Sequence, residues 1–337
     1  MPKMPSSLPD GRRLGAHLPV ASGTVAALER AHAIGATTLQ IFADNPTAWR
    51  RRSEPPAELP AFRERLAALD MGPVAIHASY LINLAGPDDA FWDRSVDVLA
   101  SELRAAPAFG ARFVNVHIGS HRLTGLAEGI DRIGTGVARV LGAVDVGPDA
   151  ALVALENSAG GGGGIGVSLE ELEAVLESIA RHGGDVNRVV LCLDTAHLWA
   201  GGLAIGDEQA VDALVDELDA RVGVERLAMI HLNDSKSPFG SRLDRHQHLG
   251  AGEIGVAGLR RLLTSRRLAR VTYYLETPGM DEGYDAVNVA RAYAIAAGEP
   301  LESLPPEAKT MRGGRSRGGP REQPEGPRSQ DSRPAPA

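Results

Sequence analysis

Hydrophobic residues fall in short, nearly continuous runs closed by polar residues or glycine. Eight such runs recur: LGAHL (14–18), TTLQIF (37–42), PVAIH (73–77), FVNVH (113–117), ALVALEN (151–157), VVLCLDTAH (189–197), LAMIHLND (227–234) and VTYYLET (271–277). Their starts lie 23 to 44 residues apart, room each time for a strand, a helix and two loops. Unbroken apolar strands with helical spacers predict a parallel sheet covered on both faces. The spacers at 22–36, 59–70, 91–110 and 168–183 carry apolar residues at helical spacing, and Gly35 and Gly110 sit where helices end. Eight βα units predict a single-domain α/β fold, a (β/α)8 TIM barrel spanning 14–304. A doubly wound open sheet is the alternative.

Outside this span the pattern stops. Residues 1–13 read as a disordered extension, and residues 305–337 are rich in Pro, Gly, Ser, Arg, Gln and Glu without apolar periodicity. The second stretch predicts a disordered tail, with too little apolar surface to offset the entropy of ordering. Residues 309–337 hold seven basic and three acidic side chains, so the tail reads as solubilising or as an electrostatic tether to nucleic acid.

Of the 337 residues, 43% are hydrophobic, enough for a sizeable core. The lone cysteine, Cys192, excludes an internal disulfide framework and fits a reducing compartment. The opening MPKMPSSLPDGRR lacks the apolar run of a signal peptide, and no run of transmembrane length occurs. A cytoplasmic protein without membrane contact is expected. The net charge of −8 argues against coating nucleic acid by charge alone, but not against an enzyme whose bound metals supply positive charge locally.

Candidate chemistry sits at the ends of the runs. The third ends in His77, the fourth in His117 and the fifth in Glu156; the sixth reaches Asp194, with His197 three residues on. The seventh ends in His231, with Asp244 and His246 in the loop beyond, and the eighth reaches Glu276. A barrel brings all these ends to its C-terminal face, where active sites are built. Four converging carboxylates would repel one another, and five histidines among them suggest metal ligation instead. Nine ligands are enough for two or three zinc ions, a number suited to phosphoester hydrolysis.

These residues lie in segments that resemble endonuclease IV, the zinc-dependent apurinic/apyrimidinic endonuclease family: GAHLPVASG, IHASYLINLA, VNVHIGSH, LENSAG, CLDTAH, HLNDSKSPFGSRLDRHQHLGAGEIG and LETPG, in order from residue 15 to 279. The resemblance implies a xylose-isomerase-like barrel with three Zn2+ per chain, Mn2+ being a possible substitute. By it, His77, His117 and Glu156 hold one zinc; Glu156, Asp194, His231 and Glu276 a second; and His197, Asp244 and His246 the third. It implies a hydrolase acting on duplex DNA as a monomer. A metal-bridged hydroxide would cleave the phosphodiester 5′ to an abasic site, leaving a 3′-hydroxyl and a 5′-deoxyribose phosphate, with Glu276 and Glu156 as the catalytic carboxylates. Tyr80 and Trp49 match positions that enter the base stack; Arg50, heading the triplet Arg50–Arg52, with Lys236 and Arg245, are expected phosphate contacts.

The chain departs from the family pattern at Thr47, where an arginine is usual, and at Ala78, Ile118, Leu203 and Ala204. Two other readings stand beside it. A sugar isomerase or epimerase of the same superfamily would need one divalent metal but not the trio His197, Asp244 and His246. A non-catalytic DNA-binding module would not need an intact ligand set.

Overall fold

The computed structural model describes residues 8–144, 147 and 149–311. Eight parallel strands close a barrel: β1 (Leu14–His17), β2 (Thr38–Ile41), β3 (Val74–His77), β4 (Ala111–His117), β5 (Leu152–Glu156), β6 (Val189–Asp194), β7 (Leu227–His231) and, after a small antiparallel hairpin of β8 (Asp234–Ser235) and β9 (His246–Gln247), β10 (Thr272–Leu275). The last strand pairs with the first, leaving no free edge, which excludes the open-sheet alternative.

Around the barrel lie α1 (Thr24–Ala33), α2 (Leu59–Ala68), α3 (Asp89–Ala105), α4 (Leu126–Gly142), α5 (Leu169–Arg181), α6 (Thr195–Gly201), α7 (Glu208–Val222), α8 (Val256–Thr264) and α9 (Tyr284–Ala297). Helix α4 adds to the spacers read from periodicity. Its Gly129, Gly134 and Gly136 lower helix propensity by about 1 kcal/mol each relative to Ala. They also permit close approach: a Cβ at Gly134 would collide with Ser178 of α5. Gly258 of α8 is tighter still, since a Cβ there would run into the Ile205 carbonyl, which is backbone and cannot rotate away. Gly258→Ala is therefore expected to destabilise the barrel by about 2–3 kcal/mol, read as an earlier urea midpoint with an unchanged slope.

Strand parity builds the interior. Ala75, Phe113, Ala154, Val190, Cys192, Met229 and Tyr274 form a buried layer within the barrel. Two residues further along the same strands come His77, Asn115, Glu156, Asp194, His231 and Glu276. Because successive side chains alternate faces, this second set points inward as well, stacked above the apolar floor at the C-terminal mouth. A much larger apolar cluster fills the space between barrel and helices.

Both expected disordered ends need correction at their inner edges. Leu8 is buried, and the guanidinium of Arg12 donates to the Ser265 carbonyl at 2.7 Å and to the Leu263 carbonyl. At the other end, Pro306–Thr310 forms a short helix, α10, with Ala308 fully buried. It is held by His248, Gln247 and Lys236, which contact the carbonyls of Ala308 (3.1 Å) and Lys309 (3.3 and 3.0 Å). Composition predicts no such docking, because the partners lie some sixty residues or more away in sequence. Residues 1–7 and 312–337, with most of the expected tail, lie outside the described residues. Among the described residues no helix is long and apolar enough to cross a membrane.

Candidate metal centre and cleft

The mouth of the barrel gathers His77, His117, Glu156, Asp194, His197, His231, Asp244, His246 and Glu276. Their donor atoms fall into three groups: His77, His117 and Glu156; Glu156, Asp194, His231 and Glu276; and Asp194, His197 and His246, with one atom per residue lying within 4.8 Å of the others in its group. Asp244 joins the third group through its two oxygens, 3.4 Å from His197 Nε2 and 3.1 Å from His246 Nε2. Glu156 spans two groups, one oxygen 3.7 Å from His117 Nε2 and the other 3.3 Å from His231 Nδ1.

Local structure explains these placements. Parallel register sets His117 beside Glu156 and Asp194 beside His231. Asp194 is the N-cap of α6: its Oδ1 accepts the His197 N–H at 2.9 Å, which fixes the spacing of three between the two ligands. The β8–β9 hairpin folds the loop after β7 back over the mouth, bringing His246 and Asp244 to the rest.

The imidazoles are oriented from behind. Nδ1 of His77, His197 and His246 lies 2.7, 2.9 and 2.8 Å from the carbonyls of Ala78, Asn157 and Glu276. A carbonyl only accepts, so each Nδ1 donates to it and each Nε2 is turned toward the centre, free to bind a metal once it carries no proton. His231 is reversed: its Nε2 faces Gln40 Oε1 at 3.0 Å and its Nδ1 faces the carboxylates. The carboxylates are held likewise. Asn115 donates to Glu156 at 2.6 Å, Asn233 to Asp194 at 2.7 Å and Gln40 to Glu276 at 2.7 Å, while His17 Nδ1 lies 3.0 Å from Glu276.

His246 Nε2 is buried, with oxygens of Asp244 and Asp194 at 3.1 and 3.4 Å but neither aligned for a hydrogen bond. Such a nitrogen among carboxylates fits a metal ligand, and imidazole with carboxylate suits zinc. Charges within the centre are strongly coupled. Burial drives His77 down to about 3. Burial also opposes the charge on His246, but Asp194 and Asp244 override it and raise the imidazole to about 10. For Glu156 and Glu276 burial pushes upward and is outweighed by the surrounding imidazoles, leaving both carboxyls well ionised.

His17, Gln40 and Asn115 were not singled out from sequence, although each is a polar residue inside an apolar strand, and that was their signal. Asn157 and Asn233 sit at strand ends beside the ligands they orient.

Above the centre opens a cleft of about 620 Å³, whose apolar wall includes Val20, Phe42, Tyr80 and Met280. A second, of about 690 Å³, runs from His117 and Glu156 past Tyr80 to the glycines at 161, 162 and 164. Tyr80 is half-buried, 5.3 Å from the His77 ring and 5.2 Å from Phe42, and lines both. Of the other expected DNA contacts, Arg50 and Arg245 are exposed. Trp49 instead packs edge-on against Phe91 at 4.8 Å and joins the core, so it is not poised to enter a base stack. Lys236 directs its ammonium to the carbonyls of Lys309 and Met311 rather than to the cleft. Arg51 turns inward to Glu102, and Arg52 lines the cleft 3.5 Å from Asp44. Among the departures, Ala78 and Ile118 are buried and Leu203 packs against the core, so they alter packing more than exposed contacts; Thr47 lies exposed in a turn tied to Asn45.

Fold and sequence together place the chain in the xylose isomerase-like TIM barrel class, which it matches over residues 28–298. It is 36% identical over 282 residues to a probable endonuclease 4 of Halothermothrix orenii, covering 83% of this chain and 99% of the relative. It superposes on endonuclease IV from Thermus thermophilus with a TM-score of 0.73 at 37% identity, covering 85% of this chain and 99% of that one. The chain belongs to the endonuclease IV family. A D-tagatose 3-epimerase-like protein shares only the fold, with a TM-score of 0.60 at 14% identity over 85% of this chain and 98% of that one.

Proposed function

We propose that the chain is an abasic-site endonuclease that incises duplex DNA on the 5′ side of the lesion, leaving a 3′-hydroxyl and a 5′-deoxyribose phosphate. The observation that carries this reading is the nine-residue donor set: three groups of converging donor atoms, the third joined by Asp244 at 3.4 Å from His197 and 3.1 Å from His246. A single-metal sugar epimerase has no use for the His197, Asp244 and His246 group. His77, His117 and Glu156 would hold one zinc ion, Glu156, Asp194, His231 and Glu276 a second, and His197, Asp244 and His246 a third. When bound, clustered zinc supplies an ionised water at neutral pH and positive charge beside the phosphate oxygens.

The chain's own residues then bind, orient and exclude water. Glu276 lines the cleft, its Oε1 fixed by His17 and Gln40, so a carboxylate faces the reacting phosphate in one orientation. Glu156, buried behind it and held by Asn115, keeps the first two groups in register. Burial, with Glu276 and Glu156 nearby, raises the Tyr80 phenol, which stays protonated as a donor at the mouth. The apolar wall of Val20, Phe42 and Met280 accepts the base-less sugar drawn out of the duplex. Arg50 and Arg245, both exposed, contact flanking phosphates.

Metal analysis with cleavage of a duplex bearing one tetrahydrofuran analogue tests the reading. About three zinc ions per chain, incision 5′ to the lesion and an intact undamaged duplex are expected. A single metal per chain with the lesion-bearing duplex intact would overturn it.

A further inference from the structure

Two loops form one wall of the cleft: the one after β2, contributing Asp44, Asn45, Pro46 and Arg52, and the one after β3, contributing Tyr80. Neither is regular structure, yet both are fastened to α3. Arg51 reaches inward to Glu102 on that helix, Nη1 to Oε1 3.2 Å, with the two side chains 11% and 4% exposed. The same guanidinium donates back to the carbonyls of Asn45 (3.3 Å) and Ala48, so it braces its own loop as well. The other oxygen of Glu102 accepts the Ser79 amide at 3.2 Å, immediately before Tyr80. Between the loops, the Pro46 carbonyl accepts the Ser79 hydroxyl (2.7 Å) and the Tyr80 amide (3.1 Å). Eleven residues earlier on α3, Phe91 receives the edge of Trp49. Eleven residues are close to three helical turns, so Phe91 and Glu102 share one face about 16 Å apart and stake the loop at two points.

We propose that Glu102 is a positioning residue for the substrate cleft, its carboxylate clamping the loop after β2, through Arg51, and the Tyr80 turn, through the Ser79 amide, into a single wall. A buried ion pair stabilises little overall, because desolvating both charges offsets their attraction; what it supplies is one geometry. Glu102 touches no residue of the metal centre, so its contribution is to where the cleft wall stands rather than to the reacting atoms. Burial pushes its carboxyl up to about 7, with Asp44 adding to the rise and with Arg51 and the Ser79 amide opposing it. The charged clamp is therefore best measured at about pH 8, above that range.

The proposal rests on the endonuclease reading only for the substrate used in the kinetics. Glu102→Gln, Arg51→Gln and the double variant are compared with the parent protein by zinc content, by kinetics on the abasic duplex and by amide hydrogen exchange. Each single variant is expected to raise KM roughly ten- to a hundredfold with kcat within about threefold, the mark of a displaced binding wall. Zinc content stays at the parent value, exchange quickens in residues 43–52 and 79–82, and the loss in the double variant is smaller than the product of the two single losses. Arg51 lies on a loop, so its variant keeps the test decisive even where Glu102→Gln folds poorly. Unchanged exchange in both segments for the folded variants, or a fall in kcat that tracks lost zinc, overturns the clamp. If the parent protein leaves abasic DNA intact, the endonuclease reading fails and exchange alone decides the clamp.

Discussion

Glu276→Gln is expected to lower single-turnover incision of an abasic duplex by roughly 10³- to 10⁴-fold while leaving the fold intact. The substitution keeps the side chain's shape but replaces an anionic oxygen with an amide. One oxygen of Glu276 lies 3.0 Å from His17 Nδ1 and accepts from Gln40 at 2.7 Å; the other lies 3.4 Å from His231 Nδ1. An NH2 on either side faces a donor it cannot satisfy, or turns toward the metal group where a carboxylate belongs. The centre also loses a negative charge that the neighbouring imidazoles are arranged to hold. The check is single-turnover kinetics alongside circular dichroism and metal content. A rate within tenfold of the parent would exclude this carboxylate from the reaction.

The second large effect concerns α10. Ending the chain after Leu304 removes the carbonyls that engage His248, Gln247 and Lys236, together with the buried Ala308. Those three residues lie on or beside the β8–β9 hairpin that carries His246 and Asp244. At about 1 kcal/mol for each hydrogen bond removed, Tm should fall by roughly 5–10 °C. Zinc should drop toward two ions per chain, because the third group loses its support. Ending the chain after Met311 keeps α10 and should change neither quantity. Equal melting and zinc content for the two truncations would show that α10 is not a brace.

The eight strands were legible because a strand buried on both faces must be apolar nearly throughout. The ligands were legible because each breaks such a run at its C-terminal end, where a barrel collects side chains. Chemistry at strand ends is written locally. What orients it is not. Gln40 looks like an imperfection in its strand until closure sets it against Glu276, and Asn115 until the neighbouring β5 brings Glu156 beside it. Arg51 sits in a triplet of arginines that reads as a solvated basic patch, and only α3, some fifty residues on, turns it inward. Trp49 and Lys236 were likewise claimed by partners distant in sequence, Phe91 and the end of α10. Helix α10 itself has the composition of a tail and is ordered by a surface that its own sequence does not encode. The α4 glycines weaken a helix signal for the sake of contact with α5.

The meeting of the first strand with the last has a temporal meaning. His17 belongs to β1 and Glu276 follows β10, yet they face each other at 3.0 Å across the closing seam. A chain emerging from the ribosome presents five histidines and three of the four carboxylates long before Glu276 is synthesised. It has no seam, no complete donor set and no cleft until nearly every residue of the barrel is out. A chain interrupted before β10 lacks Glu276 and the β1–β10 pairing, and so cannot present the complete donor set.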